Sequence, residues 1–167
     1  VSDMADAMKA TDKKFDFLLF DACFMGTAEV CYDLRDVADY QIVSVMEVPA
    51  YGFPYESSLD YLYEGTVDGY KKICQAYTDF YKQRYENGNQ AWGTIALVDS
   101  KEMEGLADAT RAEIVEHKDV LGNDFDESDI QEYGKQGGRG IAYDLGQLMA
   151  VLNNGTMPNA FADQLNK

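Results

Sequence analysis

The stretch Phe15 to Gly26, FDFLLFDACFMG, constrains the fold of this chain more than any other. Its opening FDFLLF is short, aromatic and almost wholly apolar, and it stops at Asp21. A run of that length, ending in small and polar residues, is expected to form a fully buried strand of a parallel sheet. A carboxylate, Asp21, and a thiol, Cys23, follow at once, and then Gly26. Open α/β sheets gather their chemistry at the carboxyl ends of strands, where loops turn into helices. The strand therefore delivers an acid and a candidate nucleophile to the usual place for a site. On the residues alone, Cys23 stays open between catalysis and inert apolar packing, since free cysteines are commonly buried hydrophobes.

The rest of the chain supports an α/β reading. A short helix is expected over Ser2 to Ala10, and another from about Thr27 to Val37 after the central strand. Tyr40 to Val48, YQIVSVMEV, reads as a second buried strand. Strand, helix and strand make a βαβ unit, hence a parallel sheet. Pro49 to Pro54 is a loop, and Ser57 to Tyr63 a short helix. Val67 to Glu86 is expected to be a longer helix with Tyr70, Ile73, Cys74, Tyr77, Phe80 and Tyr81 on one face, ended by Asn87-Gly88-Asn89. A third strand follows at Trp92 to Val98. Asp99 and Glu102 suggest a capping box for a helix running to about His117. Gly122 to Gly140, including GKQGGRG, reads as a polar flexible loop. Asp144 is expected to cap a helix through Leu152, and Met157 to Lys167 begins another.

Composition excludes several function classes. A formal charge of −16 argues against nucleic acid as a partner, because that binding rests on Lys and Arg neutralising phosphates. It suits a cationic substrate by long-range attraction, and equally suits mere solubility. No apolar stretch reaches the length of a membrane span. The chain opens on Val1 instead of Met and is expected to be a piece of something longer. Its 3 cysteines, Cys23, Cys31 and Cys74, are too few for a disulfide scaffold, and no Cys/His spacing suggests zinc. The acidic run Asp124 to Asp129 fails the EF-hand pattern, with Asp129 where Gly is needed and Lys135 where Glu is needed. No phosphate-cradling glycine motif is present.

The stretch FDFLLFDACFMGTAEVCYDLRDVADY resembles the cysteine block of the clostripain-like cysteine peptidases, relatives of gingipains, legumains and caspases. The matching residues are Asp21, Ala22, Cys23, Phe24, Met25, Gly26, Glu29 and Leu34 to Asp39. The likeness continues into Glu47 and Gly52-Phe53-Pro54-Tyr55, and returns at Tyr143-Asp144-Leu145-Gly146. It implies a caspase-like three-layer α/β/α sandwich with a mostly parallel sheet, of which residues 1–167 are the C-terminal part. It implies a cysteine endopeptidase cutting after Arg or Lys, activated by proteolytic processing, with peptide or protein substrates and a secreted or cell-envelope location in a bacterium.

By the same resemblance Cys23 is the nucleophile, its backbone N–H donates to the oxyanion, and Asp21 lines the P1 pocket. Ser44, Glu47, Val48 and Tyr51 are further substrate-binding candidates. The second acid of the pocket falls at Tyr51, a departure, and Glu47 is the candidate substitute. The catalytic His of the family precedes the Cys beside a Gly. The only histidine here, His117, has the sequence context of a helix end. A light chain or N-terminal segment carrying the His is therefore the expected partner. No cofactor is certain, and calcium stays open by resemblance alone. Two alternatives remain: a receiver-like signalling domain with Asp21 as phosphoacceptor, and an inactive peptidase relative.

Overall fold

The computed structural model describes residues 1–85, 93–123 and 125–167. The expected helix stop at Asn87-Gly88-Asn89, the strand start at Trp92 and the first acid of the acidic run, Asp124, lie outside the described residues. The chain divides into two compact units, Val1–Ser100 and Lys101–Lys167.

The first unit is built on three strands, β1 (Phe15–Leu19), β2 (Ala38–Val43) and β3 (Ala96–Asp99), in the order β1-β2-β3. β1 and β2 are parallel, with Phe15 opposite Ala38 and Leu19 opposite Ile42. β3 runs antiparallel to β2, pairing Tyr40 with Asp99 and Val43 with Ala96. One expectation needs correction here. β1 is an edge strand of this sheet, not its buried centre: Phe15 is 39% exposed and Phe17 to Leu19 are half-buried. β2, paired on both sides, is the buried strand, with Gln41, Ile42 and Val43 wholly inaccessible. An aromatic, apolar strand reads as central from sequence whether the second neighbour is in the same stretch of chain or not.

The alternation of β1 sends its side chains to two faces. Phe17 and Leu19 join Ile42, Phe53 and the apolar stripe of α4 (Val67–Tyr85), whose Tyr70, Ile73, Tyr77 and Tyr81 are buried. These positions recur at helical spacing, so one face of α4 covers one face of the sheet. Rings meet at 4.7 Å for Phe17 and Tyr70, 4.8 Å for Phe53 and Tyr77, and 4.7 Å for Tyr77 and Tyr81. Leu18 and Phe20 turn the other way, against Ala5 of α1 (Ser2–Lys9) and Leu34 and Val37. α2 (Ala28–Asp33) is shorter than expected, because the chain turns after Leu34 to place Val37 beside Leu18. Thr27 caps it, its hydroxyl accepting from the Val30 N–H at 3.4 Å. α3 (Tyr55–Leu62) lies against α4.

In the second unit, α5 (Met103–Glu116), α7 (Leu145–Leu152) and α8 (Asn159–Leu165) close over Met149, Leu152 and Phe161. Asp99 ends β3, and a tight 3-10 turn, Ser100–Glu102, leads into α5. Asp144 does cap α7, its carboxylate accepting from the Gln147 N–H at 2.8 Å. Between the helices, α6 (Lys118–Asn123) precedes a hairpin of β4 (Glu132–Gln136) and β5 (Arg139–Tyr143). GKQGGRG is thus a hairpin, not a flexible loop. Gly137 and Gly138 both take positive φ, 62° and 84°, as a two-residue turn matching strand twist requires.

Candidate active site

The carboxyl ends of β1 and β2 and the amino end of β3 converge at one end of the sheet. Beyond Leu19 the chain keeps hydrogen-bonding to the β2 side: Phe20 N–H to Ile42 O (3.0 Å), Gly26 N–H to Ser44 O (2.8 Å) and Phe24 N–H to Met46 O (3.1 Å). Gly26 is required for this approach, since a Cβ there would sit 2.7 Å from the Ser44 carbonyl carbon. Phe24 takes φ of 60°, a left-handed conformation unusual for a bulky residue. Strain of this kind collects at functional sites where the surroundings hold it. It immediately follows Cys23, whose turn it sharpens. A Phe in the sequence gives no sign of this; only the pinned bonds on either side of it do.

Cys23 is exposed, and its thiol points towards the Val48 carbonyl at 4.0 Å. The other two thiols are different. Burial pushes the Cys31 thiol up to about 12, with Glu29 adding to the rise. Burial likewise pushes Cys74 to about 11. Both keep their protons at neutral pH.

Asp21 is exposed at the end of β1 and accepts a hydrogen bond from the Tyr55 hydroxyl at 3.1 Å. Burial first, and then Asp21 itself, hold the Tyr55 phenol above its ordinary value. Asp21 also lies against Gly52, where an added Cβ would be 2.8 Å from Oδ2. Ser44 is fully buried. Its hydroxyl lies 2.8 Å from that of Thr94 and 3.1 Å from the Met46 carbonyl, so it latches the 44–48 turn to the start of β3. Glu47 and Val48 are half-buried in the same turn. Tyr51 is 59% exposed and lies beneath Arg84, whose guanidinium carbon is 3.4 Å from the ring centroid. Arg84, as hydrogen-bond partner and as charge, draws the Tyr51 phenol below its ordinary value.

The structure thus gathers Asp21, Cys23 and Val48 with Gly52 and Tyr55, and gives Ser44 a half-buried hydroxyl partner and Tyr51 a cationic one. Tyr55, Tyr81 and Arg84 are additions, and of these helical spacing disguised Tyr81 as packing. The Tyr81 hydroxyl donates to the Gly52 carbonyl at 2.7 Å and so fixes the 49–55 loop from α4. Elsewhere, His117 closes α5, its Nδ1 3.0 Å from the Glu113 carbonyl. Among the described residues, no group of three or more His, Cys, Asp or Glu gathers to hold a metal ion. No helix among them is long and apolar enough to cross a membrane.

A strand-end thiol beside a carboxylate, on an α/β sheet, offers a candidate nucleophile. The Clostripain family model matches residues 1–155, and the chain belongs to that family of cysteine peptidases. It is similar to a Bacteroides fragilis cysteine protease, with 29% identity and a TM-score of 0.86, over 99% of this chain and 70% of that one. It is similar to a clostripain from Bacteroides thetaiotaomicron, solved in complex with the peptide inhibitor BTN-VLTK-AOMK (29%, TM-score 0.80, 99% and 70%). A secreted C11 cysteine protease from the same species gives 31% identity and 0.79, over 99% of this chain but 45% of that one. The curated proteins gave no match. Antiparallel β3 also departs from the all-parallel sheet that the receiver alternative requires.

Proposed function

We propose that residues 1–167 form the cysteine-bearing part of a caspase-like three-layer endopeptidase that cuts after Lys or Arg. Cys23 is the nucleophile and Asp21 the acid of the P1 pocket. The observation that supports this best is the contrast among the thiols. Cys31 and Cys74 are held protonated by burial, whereas Cys23 is exposed at the strand end. Only a thiolate attacks a peptide carbonyl.

The Cys23 thiolate adds to the scissile carbonyl carbon, and the Cys23 N–H donates to the developing oxyanion. The C–N bond then breaks as an imidazole gives its proton to the leaving amine, leaving a thioester. Water, losing a proton to that imidazole, adds to the thioester and releases the acid and the thiolate. His117 is engaged at the end of α5. The imidazole is therefore assigned to a segment or light chain outside residues 1–167, activated by proteolytic processing. A basic P1 residue satisfies Asp21 by charge-assisted hydrogen bonds, and an apolar one does not. The lysine that ends the VLTK inhibitor of the thetaiotaomicron relative supports the same P1 class. The secreted relative supports a secreted location.

In the full-length protein, Cys23→Ala is expected to abolish hydrolysis of a peptide library while Cys31→Ala and Cys74→Ala retain it. Wild-type turnover in Cys23→Ala would reject the assignment. Alkylation at Cys23 with no hydrolysis of any peptide would favour an inactive relative.

A further inference from the structure

We infer that Tyr55 is a positioning residue that sets the choice between the two basic side chains: its hydroxyl holds one oxygen of Asp21, leaves the other for the P1 cation, and so selects lysine over arginine. This rests on the basic-pocket reading and deepens it. A lone carboxylate by itself favours arginine, whose guanidinium can bridge both oxygens. Here the two oxygens are not equivalent. The Tyr55 hydroxyl donates to Oδ2 at 3.1 Å. Gly52 lies against the same oxygen, an added Cβ there falling 2.8 Å from Oδ2 and 3.3 Å from Oδ1. The hydroxyl and the glycine thus crowd Oδ2, and Oδ1 is the less encumbered oxygen of an exposed carboxylate.

The phenol is fixed before any substrate arrives. Tyr55 opens α3, with its N–H on the Phe53 carbonyl at 2.8 Å. Its ring lies 6.3 Å from that of Phe53, which is itself buried in the core. Burial first, and then the bond to Asp21, favour the neutral phenol, so it keeps the proton it donates. Arginine gains over lysine where two parallel N–H bonds reach both oxygens of one carboxylate. With Oδ2 engaged, the planar fork has one good acceptor left and loses that gain. An ammonium is a compact point charge with rotatable donors, and one oxygen satisfies it.

The test is Tyr55→Phe in the full-length protein, which removes the hydroxyl and keeps the ring. Tyr55 is 47% exposed, so the variant folds. The readout is kcat/KM for P1 arginine and P1 lysine peptides of one sequence, each set against the norleucine counterpart. Wild type is expected to favour lysine over arginine about threefold or more, and Tyr55→Phe to raise the arginine-to-lysine ratio about tenfold, the effect of one hydrogen bond to a charged group. An unchanged ratio in Tyr55→Phe, or a wild-type preference for arginine, would overturn the inference. An equal loss on both basic substrates would overturn it in favour of a structural role for the phenol. A wild-type enzyme that prefers neither cation over norleucine would overturn the basic pocket itself, and the inference with it.

Discussion

Gly52 is where the backbone, the Asp21 carboxylate and the supporting helix meet, and Gly52→Ala tests all three. Its φ of 67° lies in the left-handed region, which costs an L side chain about 1–2 kcal/mol. The loop cannot relieve this by sliding. The Gly52 N–H is bound to the Pro49 carbonyl at 2.8 Å, and its carbonyl takes the Tyr81 hydroxyl at 2.7 Å. The new Cβ would lie 2.8 Å from Asp21 Oδ2 and 3.3 Å from Oδ1. A carboxylate is the movable partner, so Asp21 swings aside and its 3.1 Å bond from Tyr55 breaks. That bond is exposed and adds little to stability, about 0.5–1 kcal/mol. The expected destabilisation is therefore about 1.5–3 kcal/mol, a fall in Tm of roughly 3–12 °C for a chain of this size. Selectivity suffers more than stability, because the acid has left its place. The kcat/KM ratio of P1 lysine to norleucine should drop about tenfold or more. Gly52→Asn separates the causes. Asn tolerates left-handed backbone, so it should recover part of the stability, but it carries the same Cβ and should not recover selectivity. Urea denaturation and the two-substrate ratio measure both. Full lysine preference in Gly52→Ala, with stability within about 0.5 kcal/mol of wild type, would refute the argument.

Two further predictions concern Arg84 and Cys31. Tyr51→Asp restores an acid beside the pocket, but Arg84 lies over that position and should pair with it. Tyr51→Asp alone is expected to change the lysine-to-norleucine ratio by less than about threefold, while Tyr51→Asp with Arg84→Ala raises it about tenfold; equal ratios in the two variants would show that Arg84 does not mask the site. The folded Cys31 thiol is raised from 9.0 to about 12, so its contribution is complete below pH 9 and is lost as pH rises from 9 to 12. At most about 4 kcal/mol is at stake, and Cys31→Ala should flatten the alkaline fall in the urea midpoint. An identical alkaline slope in the variant would refute it.

The strand–acid–thiol stretch was legible because every residue of it speaks locally. An apolar run, a break and a turn are visible without neighbours. Residue identity also carried the stripe of α4, since Tyr70, Ile73, Tyr77 and Tyr81 recur at helical spacing. What periodicity could not tell is that these tyrosines do different work. Tyr70 packs on Phe17 and Tyr40, Tyr81 anchors the Gly52 carbonyl, and Tyr77 keeps an unspent oxygen. That difference lies in where each hydroxyl ends, which depends on a loop some 25 to 30 residues upstream. The hairpin at Gly137-Gly138 was hidden for another reason. Glycines read as flexibility when the flanking strands are polar, as Glu132 to Gln136 is, although positive φ at both turn positions is what makes the pairing tight.

The edge position of β1 was hidden for a third reason, and it bears on function. Composition marks a strand as apolar on both faces, and β1 is so, with Leu18 and Phe20 on one side and Phe17 and Leu19 on the other. It says nothing of the two backbone edges, of which β2 fills only one among the described residues. A strand whose faces are both covered by helices but whose edge is open can accept a further neighbour. The site sits at the end of that same strand. A strand added beside β1 would run out next to Asp21 and Cys23, so on the proposed peptidase reading the segment that supplied it would also be placed to supply the imidazole. On the proposed peptidase reading, edge pairing and catalytic completion would be one geometric requirement, met by one segment.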